Sequence, residues 1–215
     1  MTQPEKSPTT FSGYHYGWDG LGHVHNYLLP TLNRELDALP IAQKRVFDLG
    51  CGNGSVANWF AQRGFEVHGV DPSDSGIEYA RRSFPALDLR QGSAYDPLAA
   101  SFGAFPLVVS LEVVEHVYAP RAFAACARDL LEPGGYLLLS TPYHGYLKNL
   151  ALAVSGRMDA HFTALWDHGH IKFWSRKTIT SLLEEAGLRV KRIHRVGRLA
   201  AFARSMLVVA YRPQE

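Results

Sequence analysis

The sequence predicts an α/β fold: an open, mostly parallel sheet with helices on both faces and one antiparallel strand near the C-terminus. Three observations predict it. First, the apolar run Val46-Phe47-Asp48-Leu49 leads into Gly50-Cys51-Gly52-Asn53-Gly54-Ser55 and then a helix-like stretch, so a strand, a tight turn and a helix start follow one another. Second, short apolar runs then alternate with helical periodicities along most of the chain. Third, the last two strand-like runs are joined by Val196–Ser205 with no crossover helix, which makes them antiparallel neighbours.

Taken in order, residues 1–12 are polar, contain Pro4 and Pro8 and lack periodicity, as expected of a disordered tail. Residues 13–215 are expected to form a single domain. An entry rich in aromatic residues and histidine (Tyr14, His15, Tyr16, Trp18, His23, His25) leads into an amphipathic helix over Asn26–Leu39 that carries Pro30. Strands are expected at Arg45–Leu49, Glu66–Val70, Leu87–Arg90, Leu107–Leu111 and Tyr136–Thr141. Helices are expected at Ser55–Arg63, Ser75–Phe84 and Arg121–Leu131, with Glu132-Pro133-Gly134-Gly135 as a stop and turn. Ser175 caps a further helix to Ala186, stopped by Gly187, and strands follow at Leu188–Arg195 and Met206–Arg212. The count is a seven-stranded, Rossmann-like sheet. Residues 142–174 are too long for an ordinary connection and read as a lid over a substrate site.

Composition narrows the function classes. The chain has 215 residues, 47% of them hydrophobic and 20% charged, and a formal net charge of +2, so it can bury a full core and offers no electrostatic case for nucleic acid. Arg189, Lys191, Arg192 and Arg195 cluster, but strand alternation puts most of them on a solvated face. Cys51 sits in the glycine loop and Cys126 in a helix, which is no disulfide framework. No apolar run reaches transmembrane length and no signal peptide is visible, so a cytoplasmic location is expected, as a monomer or homodimer.

The glycine loop points to a ligand. Glycine lets a backbone turn sharply and lets a ligand approach where a Cβ would stand. Asp71, ending the next strand about twenty residues on, is where a ribose diol would be bound. A dinucleotide fingerprint would need glycine at position 55, where Ser55 stands, and a P-loop would need a lysine that is missing. Asp48 would repel a pyrophosphate and attract a cationic group. The implied ligand contains ribose, is poor in phosphate and is partly cationic.

These residues resemble the class I S-adenosylmethionine-dependent methyltransferases, whose first motif is similar to Asp48-Leu49-Gly50-Cys51-Gly52-Asn53-Gly54. The resemblance runs from about Phe47 to Gly187. It implies that Asp48, Gly50, Cys51 and Gly52 organise the loop around the amino-acid end of the cofactor. Asp71, with Pro72 and Ser73, would hold the ribose; Asp71 could instead cap the helix that follows. Gly92-Ser93-Ala94 would lie at the adenine, with Ser93 where many relatives carry Asp. Tyr16 falls in a segment that folds over the cofactor in such proteins.

Ser110-Leu111-Glu112-Val113-Val114-Glu115-His116-Val117 is similar to the Glu-x-x-Glu-His run of ubiquinone-biosynthesis-type O-methyltransferases. By that resemblance Leu111 and Glu112 reach the sulfonium end and His116 faces the substrate, as general base or anchor. Glu112, Glu115 and His116 could alternatively share Mg²⁺, to which such relatives are linked, although no metal is expected here. The Asn/Asp-Pro-Pro-Tyr/Phe motif of base methylation is absent after the fourth strand. Tyr143, His144, Tyr146, Trp166 and His168 of the lid supply aromatic and imidazole surface for a planar acceptor. Of the His168-Gly169-His170 pair, lid packing or one substrate contact is expected rather than a metal, because two ligands fall short of a site. The expected reaction moves a methyl group to an oxygen of a small aromatic or quinol-like molecule and releases S-adenosylhomocysteine. N- or C-methylation, or a module that binds the cofactor without turnover, are the alternatives.

Overall fold

The computed structural model describes residues 21–22, 25–167, 169–197 and 202–214. The expected tail, Tyr16 and His168 lie outside them. The elements are α1 (His25–Ala38), β1 (Arg45–Leu49), α2 (Ser55–Ala61), β2 (Glu66–Asp71), α3 (Asp74–Ser83), β3 (Asp88–Gln91), α4 (Leu98–Phe102) and β4 (Phe105–Leu111). There follow α5 (Pro120–Asp129), β5 (Leu131–Pro142), α6 (Tyr146–Val154), α7 (Met158–Phe162), α8 (Arg176–Glu185), β6 (Arg189–Val196) and β7 (Ser205–Tyr211).

The seven strands form one sheet in the order β3-β2-β1-β4-β5-β7-β6. β1 pairs in parallel with β2 and β4, and β5 with β4; β7 runs antiparallel to both β5 and β6. Strands covered on both faces are apolar along their length: Leu107, Val108 and Val109 of β4 and Met206 to Ala210 of β7 are fully buried. One face packs Phe47, Phe105, Leu137 and Leu139 against Phe123 of α5 and Ile179 and Leu183 of α8. The other packs Val46, Leu107, Leu138 and Leu207 against Leu28 and Leu32 of α1, Phe60 of α2 and Ile77 of α3. β6 is the edge, and its exposed Arg189, Lys191 and Arg195 discourage further strand pairing. Arg192 turns back instead, gripping Glu35 of α1 through Nη2 at 2.6 Å and Nε at 3.0 Å.

Three expectations need correction. Glu132–Gly135 is not a stop and turn but lies inside β5, where the pairing with β4 shifts register between Phe105 and Leu107. Gly134 adopts φ +83° there and its N–H bonds the Arg212 carbonyl, so the backbone bulges and stays in the ladder. Second, residues 142–174 are not one long loop: Pro142 ends β5, and α6 and α7 occupy much of the remainder. Third, α4 lies in a stretch read as a connection. Ser175 does cap α8, in a reciprocal arrangement with Thr178.

Chain order reverses between β1 and β4, so the loops after β1, β2, β3 and β4 open into one crevice at the carboxyl ends of the strands.

Candidate active site

The crevice is a cavity of about 370 Å³. Gly50, Asp71, Pro72, Gly92, Ser93 and Ala94 line one part of it, and Glu112, Val113 and His116 another. Each of these ends a strand or lies on the segment that follows one, which explains how residues far apart in sequence meet.

The glycine loop is folded by backbone bonds from Gly50 and Cys51 to the Val70 carbonyl, at 2.9 and 3.0 Å. Gly50 is required on two counts. Its φ is +92°, and a Cβ would stand 2.4 Å from Cγ2 of Val113. The loop and the Glu-x-x-Glu-His turn are therefore packed together at this residue. Asp71 accepts the Gly52 N–H at 2.9 Å and the Ser73 N–H at 2.8 Å, one on each oxygen, and still borders the cavity. It therefore ties the loop after β1 to the turn before α3 and retains acceptor capacity toward a ligand. The cap of α3 is Ser73, which accepts from the Gly76 N–H. Asp48, Cys51, Ser73 and Leu111 are buried supports of the loops and not part of the cavity wall.

Around Ser93 the bonds are local. Its N–H donates to Asp96 at 2.7 Å and its hydroxyl accepts the Tyr95 N–H at 3.2 Å. Tyr95 borders the cavity and its hydroxyl accepts the Ala119 N–H at 3.1 Å. Sequence reasoning missed Tyr95, together with Val117, Tyr118 and Ile171 on the wall. An aromatic residue next to Gly92-Ser93-Ala94 was the available signal for Tyr95.

Glu112 has φ +57°; Thr163 is the only other described non-glycine residue with positive φ. Such strain persists where surroundings enforce it. Here Ser140 donates its hydroxyl to Oε1 at 2.8 Å and Ser205 to Oε2 at 3.4 Å, while the Glu112 N–H bonds Ser140. Glu115 is buried, neither carboxyl oxygen makes a hydrogen bond among the described residues, and His170 Nε2 stands 4.0 Å from Oε1.

Buried carboxylates dominate the electrostatics. Burial, and secondarily Asp71, pushes Asp48 up to about 8. Burial raises Asp71 against the two N–H bonds it accepts. Burial pushes Glu112 up to about 7 against its two serine donors, and raises Glu115 well above the usual range, aided by Glu112. Among the described residues, no lysine or arginine forms a salt bridge with any of the four. A cation in the cavity would stabilise all of them in the ionised state.

The lid is tied to the same turn. Gly169 offers its carbonyl to His116 Nδ1 at 3.2 Å, and the N–H groups of Ile171 and Lys172 both reach the Glu115 carbonyl at 3.0 Å. The Trp174 indole N–H, deep in the core, donates to the Val114 carbonyl at 3.1 Å. The carbonyl at Nδ1 assigns the proton of a neutral His116 to that nitrogen and makes Nε2 the acceptor.

The expected lid contacts separate. Trp166 stands edge-on to His116, with ring centroids 6.3 Å apart. Tyr143 is buried in the core, and His144 is buried inside the lid against Phe162 and Phe173. Tyr146 is 87% exposed. None of these lines the cavity; its apolar wall is made instead by Tyr95, Val113, Val117, Tyr118 and Ile171.

The trio Glu112, Glu115 and His116 does not come together as a metal site, because the Glu112 carboxyl is taken up by Ser140 and Ser205. The group that does converge is Glu115, His116 and His170, with candidate ligand atoms within 4.8 Å of one another. Two imidazoles and one carboxylate are a poor match for Mg²⁺, a hard ion that selects oxygen ligands. The residues do not fit that ion. His170 is pushed down to about 4 by burial and then by His116 and His161, so it is neutral near pH 7.

A parallel-to-antiparallel seven-stranded sheet, a glycine loop facing Asp71 and a carboxylate-rich crevice define a methyltransferase of the Rossmann-like class. The family model described as "Methyltransferase domain" matches residues 21–193, and the chain belongs to that family. It is an S-adenosylmethionine-dependent methyltransferase. The ubiquinone biosynthesis O-methyltransferase of Dinoroseobacter shibae is 36% identical over 177 residues, covering 78% of this chain and 69% of that protein. The mitochondrial protein of the same name from Homo sapiens is 31% identical, covering 79% of this chain and 48% of the relative. An S-adenosylmethionine-dependent methyltransferase structure from Mesorhizobium loti superposes with a TM-score of 0.65 at 20% identity, covering 85% of this chain and 96% of that one. Magnesium protoporphyrin IX methyltransferase from Synechocystis, solved with S-adenosylhomocysteine, gives 0.64 at 18% identity over 89% and 88% of the chains. The structural likenesses show the fold.

Proposed function

We propose that this enzyme transfers the methyl group of S-adenosylmethionine to a hydroxyl oxygen of a small aromatic or quinol-like molecule. The observation that carries the reading is the position of His116. It stands on the wall of the cavity that Gly50 and Asp71 also border, and its companions there are the apolar and aromatic Val113, Val117, Tyr118 and Ile171. A planar acceptor would be gripped by that wall with its hydroxyl toward an imidazole. The names of the relatives support the same acceptor chemistry.

S-adenosylmethionine, when bound, supplies a methyl group activated by a sulfonium. Asp71 would accept the ribose hydroxyls, Gly92-Ser93-Ala94 and Tyr95 would flank the adenine, and Glu112, with Asp48 buried behind the loop, would provide negative charge for the cationic end. Nε2 of His116 would take the acceptor hydroxyl proton as that oxygen receives the methyl group, with S-adenosylhomocysteine as the leaving group. Most of the acceleration comes from alignment, since in-line displacement requires oxygen, carbon and sulfur to be collinear.

A panel of phenols, catechols and hydroquinones incubated with S-adenosylmethionine tests this, with methylated product read by mass spectrometry in the presence and absence of EDTA. O-methylation of at least one catechol or hydroquinone is expected. Transfer confined to amines or carbon acids overturns the acceptor assignment, and cofactor binding without transfer to any acceptor overturns the enzymatic reading.

A further inference from the structure

Ser205 is a buried serine at the head of an otherwise apolar strand, Ser205-Met206-Leu207-Val208-Val209-Ala210. A buried hydroxyl requires partners. Ser205 has two, each at 3.4 Å. Its hydroxyl donates to Glu112 Oε2, and its oxygen lies 3.4 Å from the Tyr27 hydroxyl on α1. Since its own proton goes to a carboxylate, the Tyr27 hydroxyl is the donor in the second bond. Ser140, fully buried on β5, supplies the other donor to Glu112.

We propose that Ser205 and Tyr27 are positioning residues for the methyl-donor end of the site: they form a hydroxyl chain, Tyr27 to Ser205 to Glu112, through which α1 seated on the sheet orients the cavity carboxylate. Four features support it. Glu112 is held in left-handed backbone geometry, which persists only where its surroundings enforce it. Ser140 and Ser205 come from two different strands and each engages a different carboxyl oxygen, which fixes the carboxylate plane as one bond would not. Both hydroxyls draw the acidity of Glu112 back toward the ionised form against burial. Tyr27 in turn is raised by burial and eased by Ser205, as a donor committed to that oxygen would be. The other ionisable groups near this chain are Glu115, on the same turn as Glu112, and Arg204, just before β7. The inference rests on the reading that Glu112 faces the cationic end of the cofactor.

The test uses the charge difference between two ligands. S-adenosylmethionine carries a sulfonium, whereas S-adenosylhomocysteine has a neutral thioether and is otherwise alike. Calorimetric affinities for both are compared in the wild type and in Ser205→Ala, Tyr27→Phe, the double variant, Ser205→Thr and Glu112→Gln. Ser205→Ala and Tyr27→Phe should each lower the preference for the charged ligand about threefold, less than the full worth of a bond to a charged group because Ser140 still holds the carboxylate. The double variant should be no worse than Ser205→Ala, because the two act in series. Ser205→Thr, which keeps the hydroxyl, should restore the preference. Equal weakening toward both ligands, or additive effects in the double variant, would overturn the chain and leave a packing role. A lowered preference in Glu112→Gln with none in Ser205→Ala overturns the chain alone. An unchanged preference in Glu112→Gln removes the assignment of Glu112 on which it rests.

Discussion

At the scale of single residues, the division of labour is between groups that hold the cofactor and one that meets the acceptor. Asp71 uses one bond per oxygen to lock two loops and keeps acceptor capacity toward the cavity. Asp71→Ala is therefore expected to weaken cofactor binding by at least about tenfold, since hydrogen bonds to a charged group are among the stronger kind. Isothermal titration with S-adenosylhomocysteine reads this out, and an unchanged affinity excludes the ribose role. His116→Ala should lower kcat by about 100-fold, the scale of general-base catalysis, with cofactor affinity nearly retained. Steady-state kinetics with a phenol that the wild type methylates establish it; kcat equal to wild type would leave His116 as packing.

At the scale of elements, the lid and the Glu-x-x-Glu-His turn behave as one piece. Trp174, Ile171, Lys172 and Gly169 all make their bonds to residues between Val114 and His116. The His116 tautomer is thus set by a carbonyl that arrives with the lid. Trp174→Phe keeps the ring and removes the indole donor to Val114, loosening that anchor by roughly 1 kcal/mol. The expected result is a several-fold lower kcat with cofactor affinity within about twofold of wild type. A parallel loss of cofactor affinity would instead mean that Trp174 supports the whole crevice.

Much of this was legible beforehand and some was not. The strands after which site loops fall lie within a residue or two of their expected positions, because parallel core strands are apolar runs closed by glycine or carboxylate. Asp71, Gly92-Ser93-Ala94 and His116 all reach the cavity for that reason. The lid residues did not follow. Tyr143 and His144 are aromatic or imidazole residues in a long connection, and the sequence carries no sign of which way they face. Tyr143 packs into the main core and His144 against Phe162 and Phe173 of the lid, while Val113 and Ile171, unremarkable as residues, become the wall. The Glu132–Gly135 bulge was misread for a related reason: Pro-Gly-Gly punctuates a turn locally, and the paired bonds from Gly134 N–H to the Arg212 carbonyl and from Arg212 N–H to the Gly135 carbonyl keep it in the sheet.

At the scale of the molecule, the crevice concentrates uncompensated negative charge in a chain of formal charge +2. Carboxyls whose acidity is weakened by folding contribute stability that is full below the unfolded carboxylate value, near 4, and is lost as pH rises through the folded one. For Glu112 and Asp48 the folded values are about 7 and about 8. His144 and His170, both pushed down to about 4, act oppositely: their contribution grows as pH rises toward the unfolded histidine value near 6.5 and then levels off. Between about pH 6.5 and 8 the carboxyl effect stands alone, so the thermal midpoint of the ligand-free protein should fall across that interval. Excess S-adenosylmethionine should reduce the fall, because a bound cation stabilises the ionised carboxylates. A midpoint that is flat from pH 6.5 to 8 without ligand would refute the charge balance described here. Among the described residues no helix is long and apolar enough to cross a membrane.

What the sequence determined by itself was the mostly parallel sheet, its antiparallel strand near the C-terminus and the identity of the methyl donor. These follow from local patterns: apolar runs set strands, glycines at a strand end set a loop, and a carboxylate ending the next strand meets it across a fixed spacing. What only the tertiary structure decided was the acceptor wall, the convergence of Glu115, His116 and His170, and the chain from Tyr27 through Ser205 to Glu112. Those depend on which side chains from distant segments face each other. That is settled by packing α1, the lid and the antiparallel β7 around the crevice, and no spacing within the chain encodes it.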